Sequence, residues 1–172
     1  MATGQTRYQV RFDWGATGWL NITEGADVVV FIDALRPGGA ELPGSFAGPV
    51  LEATTGNASS TARWVLEQQA DKGDRFAVAV VAMGEQSAGE TRFCVEDLLV
   101  AGAVIDALAE VGIDYAAPEA AAAVAAFQGL RRAVSHILSA SVSGQILLAT
   151  GRGGAIEDAR TRLDRTEVIR LS

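Results

Sequence analysis

Two unbroken apolar runs limit the folds that this chain can adopt. The first run, Val28 to Ile32, lies between Asp27 and Asp33, and the second extends from Phe76 to Met83. A strand that is apolar at every position has both faces buried, as in parallel sheets that carry helices on either side. The two runs therefore predict an α/β fold with a mostly parallel central sheet.

Strand and helix patterns alternate around these runs. Tyr8 to Trp14 alternates polar and apolar residues, which predicts a half-exposed strand that a turn at 15–18 ends. The Pro- and Gly-rich segment Pro37 to Pro49 and the polar segment Gly84 to Thr91 predict loops. The other predicted elements are strands at Val50 to Ala53 and Val168 to Leu171, and helices from Ser59 or Ser60 to Lys72, from Val95 to Val111, from Glu119 toward Leu138 with an irregularity at Gly129, from Gln145 to Ala149 and from Ala155 to Leu163. We expect residues 1–172 to form a single three-layer domain, with the sheet flanked by helices.

The charge and the reactive residues of the chain exclude several classes of function. Its 14 basic residues are dispersed and its net charge is −7, whereas nucleic-acid binding needs a basic stripe. One cysteine, Cys94, and one histidine, His136, leave no thiolate zinc site and no intrachain disulfide. A small anionic metabolite remains a compatible partner where a divalent cation or an arginine balances its charge.

The sequence carries no sign of membrane insertion or export. No apolar run reaches the roughly 18 to 20 residues that cross a bilayer, and the first ten residues, MATGQTRYQV, lack the apolar core of a signal peptide. We therefore expect a cytoplasmic protein with no membrane partner.

Asp33 directly follows the first apolar run, three residues before Arg36. In sheets of this kind ligands bind outside the carboxyl ends of the strands. A carboxylate in that place can hold a cation and the arginine can hold an anion. The alternative is that Asp33 caps a turn and Arg36 is a surface residue.

Glu96 and Asp97 lie in the first turn of the predicted helix Val95 to Val111. The helix dipole stabilises a negative charge there by about 0.3 to 1 kcal/mol, which by itself explains acidic residues at this place. Two carboxylates near the end of the second apolar run also suit Mg²⁺, which takes one or two carboxylates with water and substrate oxygens. The residues alone leave both interpretations open.

Asn57 precedes a predicted helix whose free N–H groups can receive a phosphate or a sulfonate. Ordinary capping of that helix is the simpler interpretation. The glycine-rich turn 151–154 lacks the Lys-Ser/Thr ending of a phosphate loop, and His136 has no catalytic partner in the sequence. We interpret both as structural.

Three stretches resemble the 2-phosphosulfolactate (2-phosphosulpholactate) phosphatase family. They are ADVVVFIDALR (Ala26 to Arg36), GNASSTARWVLE (Gly56 to Glu67) and, most specifically, RFCVEDLLVAGAVIDAL (Arg92 to Leu108). The resemblance implies an α/β fold and a magnesium-dependent acid phosphatase that removes phosphate from a sulfonated lactate in coenzyme M synthesis.

The resemblance also implies roles for individual residues. Asp33 and Arg36 are the expected catalytic residues, and Asp33, Glu96 and Asp97 are the expected magnesium ligands. The expected substrate-binding residues are Arg36, Asn57 and Ser59.

The chain departs from the family pattern between Asp33 and Asn57. Family members have further strand and helix units there, including a Gly-Glu-Arg-Gly segment that this chain lacks, and Cys94 stands where the family usually has serine. We identify the chain as a shortened, divergent member. Two functions stay open: a phosphatase that acts on or binds a small phosphorylated hydroxy acid, and a catalytically inactive module for small-molecule binding or oligomerisation. The missing units also predict an exposed sheet edge, through which two copies can pair as a homodimer.

Overall fold

The computed structural model describes residues 4–36, 41–87 and 90–172. Its strands are β1 (Val10–Trp14), β2 (Val28–Ile32), β3 (Val50–Glu52), β4 (Val78–Ala82), β5 (Glu85–Ser87), β6 (Glu90–Arg92) and β7 (Ile169–Arg170). Its α-helices are α1 (Gly15–Ile22), α2 (Ala58–Lys72), α3 (Val95–Glu110), α4 (Pro118–Leu130), α5 (Val134–Ala140), α6 (Val142–Ala149) and α7 (Gly154–Arg162). Within these ranges no helix is long and apolar enough to cross a membrane.

The central sheet has the strand order β1-β4-β2-β3-β7. The pairs β1–β4, β4–β2 and β2–β3 are parallel, and β7 runs antiparallel to β3 at one edge. Every residue of the interior strands β2 and β4 is buried, as their unbroken apolar runs predict. The predicted α/β fold with a mostly parallel sheet is confirmed.

Helices cover both faces of this sheet. Val30 of β2 packs in the larger core with α2, α3 and α4, whereas Val29 and Phe31 pack in a second core with Trp19 and Ile22 of α1. Successive side chains of a strand point to opposite faces. A strand that is apolar at every position therefore contributes to both cores, and the predicted layers of helix, sheet and helix are present.

Helix α1 stands where the sequence predicts a turn. Gly15 has a φ of +61°, a left-handed conformation that lets the chain pass directly from β1 into a helix. Trp19 and Ile22 of this helix are almost completely buried. The small residues at 15–18 favour a turn locally, but the burial of these two large side chains stabilises a short helix instead.

Strand β1 is more buried than its alternating pattern predicts. Arg11, a polar member of that pattern, is 4% exposed. Its guanidinium donates hydrogen bonds to the backbone carbonyls of Ile22 and Glu24 at 3.0 and 2.7 Å. The pattern was misleading because a buried arginine can be satisfied by carbonyls at the end of a neighbouring helix.

The polar segment Gly84 to Thr91 is not simply a loop, because it contains β5 and the first two residues of β6, which pair as a hairpin. The register pairs Glu85 with Arg92 and Gln86 with Thr91, and each pair is also joined through its side chains. Such cross-strand pairs stabilise a hairpin. Residues 88–89, which connect the two strands, lie outside the described residues.

Two other sequence predictions concern irregular backbone. Residues 41–49 have no helix or strand, as predicted, and 37–40 lie outside the described residues. The alanine-rich segment is divided by a 3₁₀ turn, Arg131–Ala133, so its irregularity falls just after Gly129.

The outer edge of β1 is occupied by groups from the same chain. The side-chain amide of Gln5 donates to the carbonyl of Phe12 and accepts from its N–H, both at 2.9 Å. The N–H of Val10 donates to the carbonyl of Tyr115, and the carbonyl of Val10 accepts from the N–H of Ala117. The absence of the family's further strand and helix units predicted an exposed sheet edge, but this edge is partly covered by groups of the same chain. The homodimer stays a prediction.

Candidate active site

A cleft of about 280 Å³ opens at the carboxyl ends of β2 and β4. This is where parallel α/β sheets bind ligands, and its size suits a small metabolite. The cleft is lined by Asp33, Leu35, Arg36, Met83, Gly84, Glu85, Gln86, Cys94, Glu96, Asp97, Ser143, Ile146, Leu147 and Arg152.

The structure brings four of the predicted site residues together in this cleft: Asp33, Arg36, Glu96 and Asp97. They meet because β2 and β4 are parallel neighbours. Asp33 and Arg36 follow β2, and the acidic pair begins the helix α3 that comes after the hairpin beyond β4. The carboxyl ends of both strands therefore deliver their polar residues to one place.

Asp97 is 2% exposed and accepts two backbone hydrogen bonds. Its Oδ1 accepts from the N–H of Ala34 at 2.8 Å, and its Oδ2 accepts from the N–H of Gly84 at 2.9 Å. Burial raises its pKa to about 8, the charges of Asp33 and Glu96 add to that rise, and the two backbone hydrogen bonds oppose it. Asp97 thus joins the ends of β2 and β4 from within the cleft.

Asp33 forms an ion pair with Arg36, with 3.5 Å between its Oδ2 and Nη1. Burial nevertheless raises the pKa of Asp33 to about 6, because loss of hydration outweighs the attraction of Arg36 and Arg162. Arg162 fixes the backbone beside this pair by donating to the carbonyl of Ala34 at 3.1 Å.

Glu96 differs from its neighbour because its Oε2 is buried and has no hydrogen-bond partner among the described residues. The whole residue is 4% exposed. A buried carboxylate oxygen without a partner is costly, so a cation or a donor group bound in the cleft would relieve that cost.

The donor set of the cleft fits Mg²⁺ only with water and substrate completing the coordination. Within the described ranges no three His, Cys, Asp or Glu side chains form a group that could hold a metal ion. Mg²⁺ is usually held by one or two carboxylates, with water and phosphate oxygens in its other positions. The free oxygen of Glu96 and the nearby carboxylate of Asp33 match that preference.

Asn57 and Ser59 do not line the cleft. Asn57 is fully buried, and its Oδ1 accepts from the N–H of Thr54 at 2.8 Å. Its Nδ2 donates to the carbonyls of Glu52 and Glu167 at 3.1 and 3.2 Å. Ser59 is exposed on α2. The Asn57 amide is thus engaged by the backbone, and we leave both residues out of the proposed site.

Sequence reasoning missed four polar side chains of the cleft: Glu85, Gln86, Ser143 and Arg152. Ser143 Oγ accepts from Arg92 at 3.0 Å and lies 3.3 Å from Cys94 Sγ. Burial raises the pKa of that thiol to about 11, so it stays neutral. The sequence contains only a weak indication of Arg152, which lies between glycines in a turn. Its position beside the cleft depends on how α6 packs, and α6 is distant in the sequence from the strands that form the cleft.

The family model described as 2-phosphosulpholactate phosphatase matches residues 44–170. The match contains Glu96, Asp97, Ser143 and Arg152, and it begins after Asp33 and Arg36. No curated protein was found to match the chain. Because the matched range covers most of the sequence, the chain belongs to the 2-phosphosulpholactate phosphatase family.

Proposed function

We propose that this protein is a magnesium-dependent phosphatase that hydrolyses the phosphate ester of a small hydroxy acid such as 2-phosphosulpholactate. Family membership supports the class of reaction. The observation that carries the proposal is Glu96, whose buried Oε2 has no partner among the described residues and which lines the same cleft as Asp33 and Arg36.

Glu96 and Asp33 are the residues that would hold Mg²⁺. Each oxygen of Asp97 already accepts a backbone hydrogen bond, so we do not propose Asp97 as a third ligand, although the resemblance to the family implies one. When bound, the cation supplies positive charge that draws electron density from the phosphoryl oxygens.

The chain's own residues position the ester and the attacking water. Arg36 has a planar guanidinium that suits two oxygens of a phosphoryl group, and its ion pair with Asp33 restricts its orientation. Asp33 would accept a hydrogen bond from the water and hold it in line with the leaving oxygen. Positioning of this kind provides much of the catalysis in phosphoryl transfer.

The test is release of inorganic phosphate from a panel of phosphorylated hydroxy acids, including 2-phosphosulpholactate, with and without Mg²⁺. Glu96→Gln should lower kcat/KM by about 100-fold or more, the typical loss of one electrostatic group in an active site. Glu110→Gln is the matched control, because Glu110 is exposed on the same helix. No phosphate release by the wild type, or equal rates for both variants, would refute the proposal.

A second candidate function is a binding module without catalysis, and Asp97 favours it. Both oxygens of this carboxylate serve the backbone, a structural use of the acidic pair. A phosphorylated acid that raises the melting temperature but is never hydrolysed would identify this function.

A further inference from the structure

The two arginines that line the cleft differ in how their charges are balanced. Arg36 is paired with Asp33 at 3.5 Å and with Glu41 at 3.8 Å. Arg152 forms no salt bridge with any residue in 4–36, 41–87 or 90–172. Its Nε donates to a neutral group, Thr150 Oγ1, at 3.2 Å. The guanidinium of Arg152 is therefore available to an anion.

The backbone of Arg152 is held in place by the end of α6. Gly151 adopts a φ of +72°, and the N–H of Arg152 donates to the carbonyl of Leu147 at 2.8 Å. A left-handed glycine with this hydrogen bond is the Schellman motif that ends many helices. Leu147 itself lines the cleft, so the motif keeps Arg152 beside the cleft wall.

The other charges of the cleft indicate which part of a ligand Arg152 would contact. Asp33, Glu96 and Asp97 cluster at the ends of β2 and β4, and a second acid group of a ligand would be repelled there. Arg152 comes instead from the turn after α6, next to Ile146 and Leu147. A planar guanidinium beside apolar side chains suits a carboxylate or a sulfonate.

We propose that Arg152 determines substrate specificity by binding the non-reacting acid group of the substrate, while Arg36 and the carboxylate cluster serve the phosphate ester. The inference rests on the proposed function, because a phosphorylated hydroxy acid carries a carboxylate or sulfonate in addition to its phosphate. The preferred ligand is thus a molecule with two separate anionic groups, and a simple phosphate monoester is a poor ligand.

The test compares two compounds that cannot be hydrolysed, phosphonoacetate and methylphosphonate, which differ by one carboxylate. Calorimetric titrations with Mg²⁺ present would use the wild type, Arg152→Gln, Arg152→Lys and the control Arg131→Gln. Arg131 is exposed between α4 and α5 and does not line the cleft. The wild type and the control should bind phosphonoacetate about tenfold to a hundredfold more tightly than methylphosphonate, as expected for a hydrogen-bonded ion pair.

Arg152→Gln should bind the two phosphonates almost equally, and Arg152→Lys should keep part of the preference because it keeps the charge. The inference is overturned if the wild type shows no preference, if it binds neither compound, or if Arg152→Gln keeps the full preference. A preference that depends on Arg152, in a protein that releases no phosphate from any ester, would support this inference and refute the phosphatase proposal.

Discussion

Oδ1 of Asp97 accepts a hydrogen bond of 2.8 Å from the backbone N–H of Ala34 and thereby joins the first turn of α3 to the end of β2. Its Oδ2 makes a similar bond to the N–H of Gly84, beyond the end of β4. Glu96, the preceding residue, has a buried oxygen with no such partner in the described part of the chain. The two adjacent acids therefore differ in their surroundings: both oxygens of Asp97 are engaged by the backbone, whereas Oε2 of Glu96 is buried without a partner among the described residues.

Asp97→Ala should lower the free energy of unfolding by about 2 to 4 kcal/mol, because two backbone N–H groups lose their acceptor. Urea unfolding at about pH 6 measures this loss of stability. At that pH the side chain of Asp97 is largely protonated, because its pKa is raised to about 8, and the free-energy cost of burying a charge is therefore small in the wild type. Asp106→Ala is the control on the same helix, because its hydrogen bond with Gln128 is exposed. Equal losses in the two variants would contradict a structural role for Asp97.

Glu96→Gln should leave the free energy of unfolding unchanged or raise it by up to about 1 kcal/mol, because no hydrogen bond is lost and a buried charge is removed. Millimolar Mg²⁺ should raise the melting temperature of the wild type, and the same variant should lose that rise. Thermal unfolding with and without Mg²⁺ measures both effects. A metal-induced rise as large as that of the wild type would exclude Glu96 as a ligand.

Stability should depend on pH through Asp33 and Asp97. Their pKa values are about 6 and about 8 in the folded chain, against an ordinary value of 3.8. The folded chain thus binds more protons than the unfolded chain between these values, so the free energy of unfolding falls as pH rises from about 4 to about 8.

Urea midpoints across this range, without Mg²⁺, measure the effect. Asp33→Asn should flatten the lower part of the curve, and Asp71→Asn, an exposed change on α2, should leave its slope unaltered. A stability that rises with pH throughout would contradict the assignment.

Two glycines should respond oppositely to replacement by alanine. A Cβ on Gly102 of α3 would overlap the carbonyl oxygen of Ala123 in α4, so Gly102→Ala must separate the two helices. We expect a loss of about 1 to 3 kcal/mol. Gly129, near the end of α4, has open space at this position, and Gly129→Ala should stabilise by about 0.5 to 1 kcal/mol through helix propensity. Denaturant unfolding of both variants is the measurement.

Gln5→Ala should increase self-association, because the outward N–H and carbonyl of Phe12 lose their partner at the edge of the sheet. Light scattering after size exclusion, over a range of protein concentrations, gives the molar mass. Gln68→Ala on α2 is the control. If the variant has the same molar mass as the control at every concentration, the Gln5 amide does not protect this edge.

The interior strands could be predicted from sequence because their signal is local. Val28 to Ile32 is apolar at every position, and such a strand is stable only where both of its faces are covered. Helix α1 could not be predicted in this way. Its first residues are small and typical of a turn, and it is stabilised by contacts of Trp19 and Ile22 with strands that lie elsewhere in the sequence.

The sequence by itself determined the α/β fold and placed Asp33 directly after a buried strand. That Asp33, Arg36, Glu96 and Asp97 meet in one cleft was decided by the tertiary structure, because it makes β2 and β4 parallel neighbours. Only the tertiary structure decided which of the two adjacent acids is engaged by the backbone, since consecutive helix residues point about 100° apart and meet different surroundings.

The tertiary structure likewise decided that Asn57 is enclosed by backbone carbonyls and that Arg152 reaches the cleft. Both outcomes depend on contacts between segments that are distant in the sequence, and a local pattern does not encode such contacts.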